Sequence, residues 1–551
     1  VSGYAVARRA LPMRYPANYE FRMFLRGEGG ANNLEIKLAD ASGENVWWRR
    51  QPDLRLPAAW TAATLKKRQI DFAWGPGEDR TLRASESFEL TVSAGKDGGK
   101  GSACIDQLSF RELPPPDDSP LAGALRLMGD RYVHDLGKPR EFGGAILQWA
   151  PGRRPGDYVI ELSGDGRAWR RVREVLGSDG GEDVIALPEE EARYLRVVAL
   201  SRRLPVLQSV QVQPLAFSAS TNDFVKAVAG RAPRGTFPRG FSGEQPYWTI
   251  VGIDGGSEQG LIGEDGAIEL AKGAPSVEPF VVVDGKLVGW SDVQATQSLQ
   301  DGYLPIPGVH WAHPGFALDI TAFASRDGDA AQLHGIYTLT NTGSRPRDYV
   351  FVLAVRPFQV NPPSQFLNTV GGVSRIDALG VREGVITRGG VPLLRASQKP
   401  AVSFASTFDG GGVVARLSSM DWSKACAGCA GAGLGLPPFG KDSVEDSTGL
   451  ASGAMLFGVR LQPGESRSFD WRSLLDGTAA PVPAPPEDAR AVRSRVADEW
   501  RDKLDRVRIQ VPAQGQRVVD TLRTALAHML ISRTGPRLQP GTRSYARAWI
   551  R

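Results

Sequence analysis

The chain is 551 residues long, too long for one domain and long enough for three or four. Its 66 basic and 61 acidic residues leave a net charge of +5 with the signs interspersed, which argues against a nucleic-acid-binding or polybasic membrane surface. No apolar run approaches the roughly 20 residues that span a bilayer, and three cysteines are too few for a disulfide scaffold.

The 64 glycines and 39 prolines favour short strands joined by tight turns. Residues 1–113 alternate apolar and polar side chains in Tyr19-Glu-Phe-Arg-Met-Phe-Leu25, Leu34-Glu-Ile-Lys-Leu38, Gln69-Ile-Asp-Phe-Ala-Trp74, Phe88-Glu-Leu-Thr-Val92 and Ile105-Asp-Gln-Leu-Ser-Phe110. With turn clusters between the runs, this predicts an antiparallel β-sandwich. Leu113-Pro-Pro-Pro-Asp-Asp-Ser-Pro120 reads as a stiff linker. A second small β-sandwich is expected over 121–215, with strands such as Ala145–Trp149, Asp157–Leu162, Arg170–Val175 and Tyr194–Val198. From 216 to 475 the strands lengthen, as in His334–Thr340, Tyr349–Val355 and Ala454–Arg460, and predict one large two-sheet supersandwich. The Pro/Ala-rich stretch 476–487 is a linker. Beyond it the apolar period changes from 2 to 3.6: Val492, Val496, Trp500 and Leu504 form one stripe, and a second helix over roughly 515–532 carries Val518, Val519, Leu522, Leu526, Met529 and Leu530. The fold class expected is therefore mainly β: two small sandwiches, a supersandwich, then a linker helix and one helix of a further helical assembly.

Tryptophans are dense in the first sandwich, at Trp47, Trp48, Trp60 and Trp74, with Arg49 and Arg50 following the first pair. Adjacent residues of a strand point to opposite faces, so one of Trp47 and Trp48 is expected inside and the other outside. An exposed indole beside arginine, asparagine or aspartate is suited to stacking on a sugar ring, so Trp47, Trp48 and Arg49 are the candidate glycan-binding residues; core packing of these rings is the competing reading. The stretch Asn32–Trp48 resembles the β-sandwich carbohydrate-binding modules of bacterial glycan-degrading enzymes. In the second unit, Phe142-Gly-Gly-Ala-Ile-Leu-Gln-Trp149, the turn Ser163-Gly-Asp-Gly-Arg167 with Trp169 beyond it, and Ala192-Arg-Tyr-Leu-Arg-Val197 together resemble the discoidin, or coagulation-factor type C, fold. That resemblance implies the fold more firmly than the ligand; Trp149, Trp169 and Tyr194 read as core.

In the large β region, Trp248 and Trp311 are candidate loop aromatics reaching a neighbouring sugar site. His310 and His313 flank Trp311 but lack a third ligand at fixed spacing, so no metal site is assigned and no cofactor is expected. Cys426 and Cys429 have CxxC spacing in a Gly/Ala-rich loop; a local disulfide, two free thiols, and a redox or metal role all stay open.

The last segment, Leu530–Arg551, contains Tyr545-Ala-Arg-Ala-Trp-Ile-Arg551 and resembles the first helix-to-loop passage of glucoamylase-like (α/α)6-barrel glycoside hydrolases. The resemblance implies that Arg547, Trp549 and Arg551 contact substrate, that Arg543 and Tyr545 shape the loop, and that 488–551 opens a catalytic barrel. Glycosidic cleavage needs two carboxyl groups across the scissile bond, and no such pair is assigned here. The reading is a glycan-binding, scaffolding N-terminal region of a polysaccharide- or oligosaccharide-cleaving hydrolase, inactive alone, with its catalytic carboxylates beyond residue 551. Its expected partners are a carbohydrate and a C-terminal helical domain, with no nucleic acid and no membrane span. Val1 reads as a processed end, and the location expected is extracellular or periplasmic. A non-catalytic surface glycan-binding or adhesion protein, and part of a sugar phosphorylase, are the alternatives.

Overall fold

Alternation with period 2 builds sheets with one face on a core, and uninterrupted apolar runs build strands buried on both faces; this chain uses both. The computed structural model describes residues 3–95, 98–115, 117, 119–153, 155–200, 204–328, 330–365, 369–422, 440–475 and 488–543. The chain divides into two units, 1–120 and 121–551, and the described structure is mainly β.

The first unit pairs a five-stranded antiparallel sheet with a three-stranded one. Tyr19, Phe21, Met23 and Leu25 from the smaller sheet meet Leu34, Ile36, Leu38, Trp47, Phe88 and Leu90 from the larger in one apolar core. The intervening Glu35 and Lys37 face outward, as the alternation requires.

The second unit begins with a six-stranded sheet over 124–213. Two of its strands, Arg131–Trp149 and Glu182–Ala199, are 19 and 18 residues long and pair with two register shifts. Bulges bend such long strands, so one sheet wraps around its own core of Phe142, Leu147, Trp149, Tyr158, Ile160, Leu195 and Val197.

Next come an eight-stranded and a nine-stranded antiparallel sheet. Their facing sides share one core, with Val277, Val281, Phe351, Leu353, Val355 and Met455 against Val309, Leu318, Ile320, Leu333, Tyr337 and Trp471. The strand Ser276–Val283 is buried along its whole length, because the short helix α2 (Gly412–Ser418) covers the outer face with Val413, Val414 and Leu417 against Phe280, Val282 and Val352. Helix α1 (Thr221–Ala229), capped by Ser220 Oγ accepting from Asp223 N, places Phe224 and Val225 among Ile146, Phe217, Phe358 and Leu450. An apolar cluster thus runs across residue 215, where the sequence suggests a domain boundary.

Helix α3 (Ala489–Leu504) buries Val492, Val496, Trp500 and Leu504 against Leu304, Ile306, Phe323 and Ile336 on the outside of the nine-stranded sheet. Helix α4 (Gln516–Ser532) buries only Val519, Ala527 and Ile531. Leu530 is half-buried on the same side, while Val518, Leu522, Leu526 and Met529 are exposed. Asp254 ties both helical elements to the sandwich, accepting from Lys503 Nζ at 2.5 Å and Arg533 Nε at 2.7 Å. The linker 476–487 and the cysteines Cys426 and Cys429 lie outside the described residues.

Candidate functional site

In the five-stranded sheet of the first unit, register sets Lys37 opposite Trp48 and Glu35 opposite Arg50. These four side chains share the outer face. Trp48 packs edge-on to Trp74, with ring centroids 5.5 Å apart and planes at 85°, and Trp74 is 47% exposed. Lys37 Nζ lies 5.6 Å from the Trp74 ring and the Arg50 guanidinium 5.9 Å from that of Trp48. Glu35 holds both cations, at 2.8 Å from Lys37 Nζ and 3.7 Å from Arg50 Nε. The result is an open indole surface rimmed by preoriented charged donors and acceptors, the combination that takes the apolar face of a sugar ring and its hydroxyls.

The predicted trio does not come together. Trp47 is only 6% exposed: it packs in the core against Phe72 and its Nε1 donates to Arg80 O at 2.7 Å. Arg49 pairs opposite Ile36 and lines a cavity of about 200 Å³ between the sheets with Met23, Leu25 and Gln51. Both are corrected as glycan-binding candidates: alternation turns them to the side away from Trp48, and of the two adjacent tryptophans Trp47 is the one inside. Trp74, Lys37, Glu35 and Arg50 take their place. The alternation Glu35-Ile-Lys37 already sets the two charged residues on one face; which strand lies beside them depends on long-range pairing. Trp60, 42% exposed, stands apart beneath the Arg26 guanidinium at 5.0 Å.

In the second unit, Trp311 is also corrected. It is 1% exposed, within the supersandwich core, and donates from Nε1 to Asp265 O at 3.1 Å. Its strand, Pro307–His313, alternates so that Val309 and Trp311 point inward while His310 points out to Asp319, 2.7 Å away. Trp248 is 40% exposed at the start of its strand, beside Tyr247 at 65%. Burial pushes the nearby Asp265 carboxyl up to about 6, against the pull of Arg239. Arg543 is buried: Nη2 donates to Glu269 Oε1 at 2.8 Å and to Gln259 O at 2.9 Å, while its own carbonyl accepts from Thr369 N at 3.2 Å. Tyr545, Arg547, Trp549 and Arg551 lie outside the described residues.

A cavity of about 710 Å³ opens where the six-stranded sheet meets the supersandwich, with Phe237, Phe280, Phe358 and Phe408 in its wall. Asp409 lines it and receives two hydrogen bonds from Arg173 Nη2, at 2.7 and 2.8 Å. Burial still raises the Asp409 carboxyl to about 6. Trp149 Nε1, Tyr158 Oη and Ser178 Oγ all donate to Asp183, at 2.6 to 2.8 Å, and burial pushes that carboxyl up as well. Trp149 and Tyr158 are therefore core residues of this sheet, whereas Trp169 and Tyr194 are only half-buried, their rings 6.3 Å apart and the Arg196 guanidinium 4.0 Å from that of Trp169. Among the described residues no group of three or more His, Cys, Asp or Glu side chains is arranged to hold a metal ion, and no helix is long and apolar enough to cross a membrane.

No curated protein matches the chain. Among solved structures, chitosan-binding module 2 of a chitosanase/glucanase from Paenibacillus sp. IK-5 is 22% identical, covering 15% of this chain and 68% of its own, with a TM-score of 0.14. A bacterial glucoamylase in complex with acarbose is 12% identical over 52% of this chain and 40% of its own, with a TM-score of 0.35. A glycoside hydrolase 29 family member from an unknown rumen bacterium is 11% identical over 37% of this chain and 40% of its own, with a TM-score of 0.14. The chain spans less than half the length of either enzyme, and likenesses this distant assign neither ligand nor reaction. A family match exists for one segment: residues 129–207 match the F5/8 type C domain. The matched segment lies within a larger β unit, and the match is to that segment alone.

Proposed function

We propose that the chain is the glycan-binding and scaffolding N-terminal region of a secreted or periplasmic glycoside hydrolase that cleaves a poly- or oligosaccharide, with the catalytic carboxylates beyond residue 551. The observation that carries this reading is the outer face of the first unit, where the exposed Trp74 and half-buried Trp48 lie beside Lys37, Glu35 and Arg50. Two further features support it. The F5/8 type C segment adds a second module of a fold suited to surface ligands, and two weak modules on one chain raise the effective concentration at a polymer. Helix α4 has one apolar face on the sandwich and another exposed at Val518, Leu522, Leu526 and Met529, the surface of a helix meant to lie between two layers. In this reading the second layer is the catalytic helical domain, and Arg547, Trp549 and Arg551 are its proposed substrate contacts. A purely adhesive glycan-binding protein would use the Trp48–Trp74 face equally well but leaves the second face of α4 without a role.

The test is affinity electrophoresis of the intact chain through gels containing soluble polysaccharides, with the Trp48→Ala and Trp74→Ala variants alongside. Retardation by one or more glycans, lost in both variants, is expected; no retardation by any of them overturns the glycan-binding reading. Release of reducing sugar by the chain alone would overturn the placement of the catalytic carboxylates.

A further inference from the structure

A groove of about 580 Å³ lies between helix α3 and the outer face of the nine-stranded sheet, with Arg490, Arg493, His310, Ser298, Thr321 and Thr338 among its walls. We propose that this groove is an oxyanion-binding site in which Arg490 and Arg493 hold a carboxylate, sulfate or phosphate group, and that the sheet hydroxyls complete its hydrogen bonds. The site is separate from the Trp48–Trp74 surface and does not rest on the glycan reading.

The charge arrangement carries the inference. Arg490 and Arg493 are three residues apart on α3, so their side chains are neighbours on one helix face. Neither forms an ion pair among the described residues. Arg493, half-buried, donates from Nε to the neutral Gln300 Oε1 at 2.8 Å, and Arg490 donates to the hydroxyl of Ser468. Burial, and after it the charge of Arg490, hold the Arg493 guanidinium below its ordinary value. Asp470 near Arg490 and Asp301 near Arg493 offset this charge only in part, so two cations side by side still favour a further anion.

The nearby carboxylates are each bonded to another partner and make no direct ion pair with Arg490 or Arg493 among the described residues. Asp319 faces the groove but is held by His310 Nδ1 at 2.7 Å. Asp301 is bound by Arg501, with Nη2 2.7 Å from Oδ2. Asp470, on the neighbouring strand, accepts from the hydroxyl of Ser397, and Asp488 caps α3 by accepting from Arg490 N at 3.3 Å. Among the described residues, Arg490 and Arg493 thus have no carboxylate hydrogen-bonded to their guanidinium groups, and these can turn to a ligand.

The floor suits the same ligand. Strand register sets Ser298 opposite Gly308 and Gly308 opposite Thr321, while Asp319 faces Thr338 and Thr338 faces Ser468 in the adjoining row. Gly308 adds no side chain between the hydroxyls of Ser298 and Thr321. An oxyanion seated here would meet planar guanidinium donors on one side, which match its geometry, and hydroxyl donors on the other.

Isothermal titration calorimetry of the intact chain at low ionic strength tests the proposal, with inorganic phosphate, inorganic sulfate and glucuronate as separate probes. Saturable binding of at least one probe is expected, weakening as salt is added. Binding of glucuronate alone would assign the oxyanion to a sugar; binding of phosphate or sulfate would assign a free or esterified anion. The Arg490→Gln/Arg493→Gln double variant should bind at least roughly tenfold more weakly, and Thr338→Val, which keeps both arginines, should weaken binding while preserving the fold. Absence of saturable heat with all three probes at concentrations on the order of 10 mM, or equal binding by the double variant, overturns the proposal.

Discussion

Arg543 and Glu269 meet across 274 residues of chain, with Nη2 2.8 Å from Oε1 and side chains 3% and 0% exposed. The carboxylate also accepts from Asn361 N at 2.9 Å and Gly273 N at 3.3 Å, so one buried group joins the segment after α4, the backbone at Asn361 and the supersandwich edge. Charges taken so far from water persist only with full partnering.

Removing one partner of this pair should therefore cost far more than removing both. Arg543→Met leaves Glu269 buried without its cation and is expected to destabilise the second unit by about 3–5 kcal/mol. The double variant Arg543→Met/Glu269→Leu should recover a large part of that. Urea denaturation of the wild type, both single variants and the double variant closes the cycle; equal losses in the single and double variants would contradict it.

The adjacent tryptophans of the first unit should separate cleanly by phenotype. Trp47→Ala opens a core cavity and is expected to cost about 3–5 kcal/mol in thermal or chemical denaturation. Trp48→Ala removes a half-buried ring on the outer face and should cost clearly less, about 1–2 kcal/mol, while weakening glycan binding by roughly tenfold or more.

His334 should make the supersandwich acid-labile. Burial, with Arg472 and Arg495 adding to it, lowers its imidazole to about 3 from 6.5, and the ring stacks on Phe323 at 4.7 Å while Nε2 bonds Ser325 Oγ at 2.8 Å. The folded state holds this group neutral and the unfolded state protonates it, so stability is retained above pH 6.5 and falls as pH drops from 6.5 toward about 3. Its full contribution is about 4–5 kcal/mol. The His334→Phe variant should show a shallower loss over that range in denaturation midpoints taken at successive pH values.

Gly335 is required by close approach. A Cβ there would lie 2.6 Å from Trp471 Cε2, inside the buried sheet. Gly335→Ala is expected to cost about 1–3 kcal/mol through overpacking, and a Trp471→Phe background should relieve part of it by giving back ring volume. Differential scanning calorimetry of the single and double variants checks both statements.

Local pattern accounts for much of this protein. Alternation in Tyr19–Leu25 and Leu34–Leu38 sets the inner and outer faces of the first sandwich, the unbroken apolar run in Tyr349–Val355 marks a strand covered on both sides, and the stripe Val492, Val496, Trp500, Leu504 defines α3. These are properties of consecutive residues, so they are legible in the sequence. The partners of those faces are not, because pairing is set by contacts between distant segments. Trp48 is outside and Trp47 inside only once the bulged register with Asp71–Trp74 is formed, and Trp311 looks like a loop aromatic until its strand is closed between two sheets. The oxyanion groove likewise joins residues 298–338 to residues 490–494. The sequence alone determined the β class, the helical change after 487 and an aromatic-rich first module; tertiary structure alone decided which side chains meet, because burial depends on what the far parts of the chain bring to the same place.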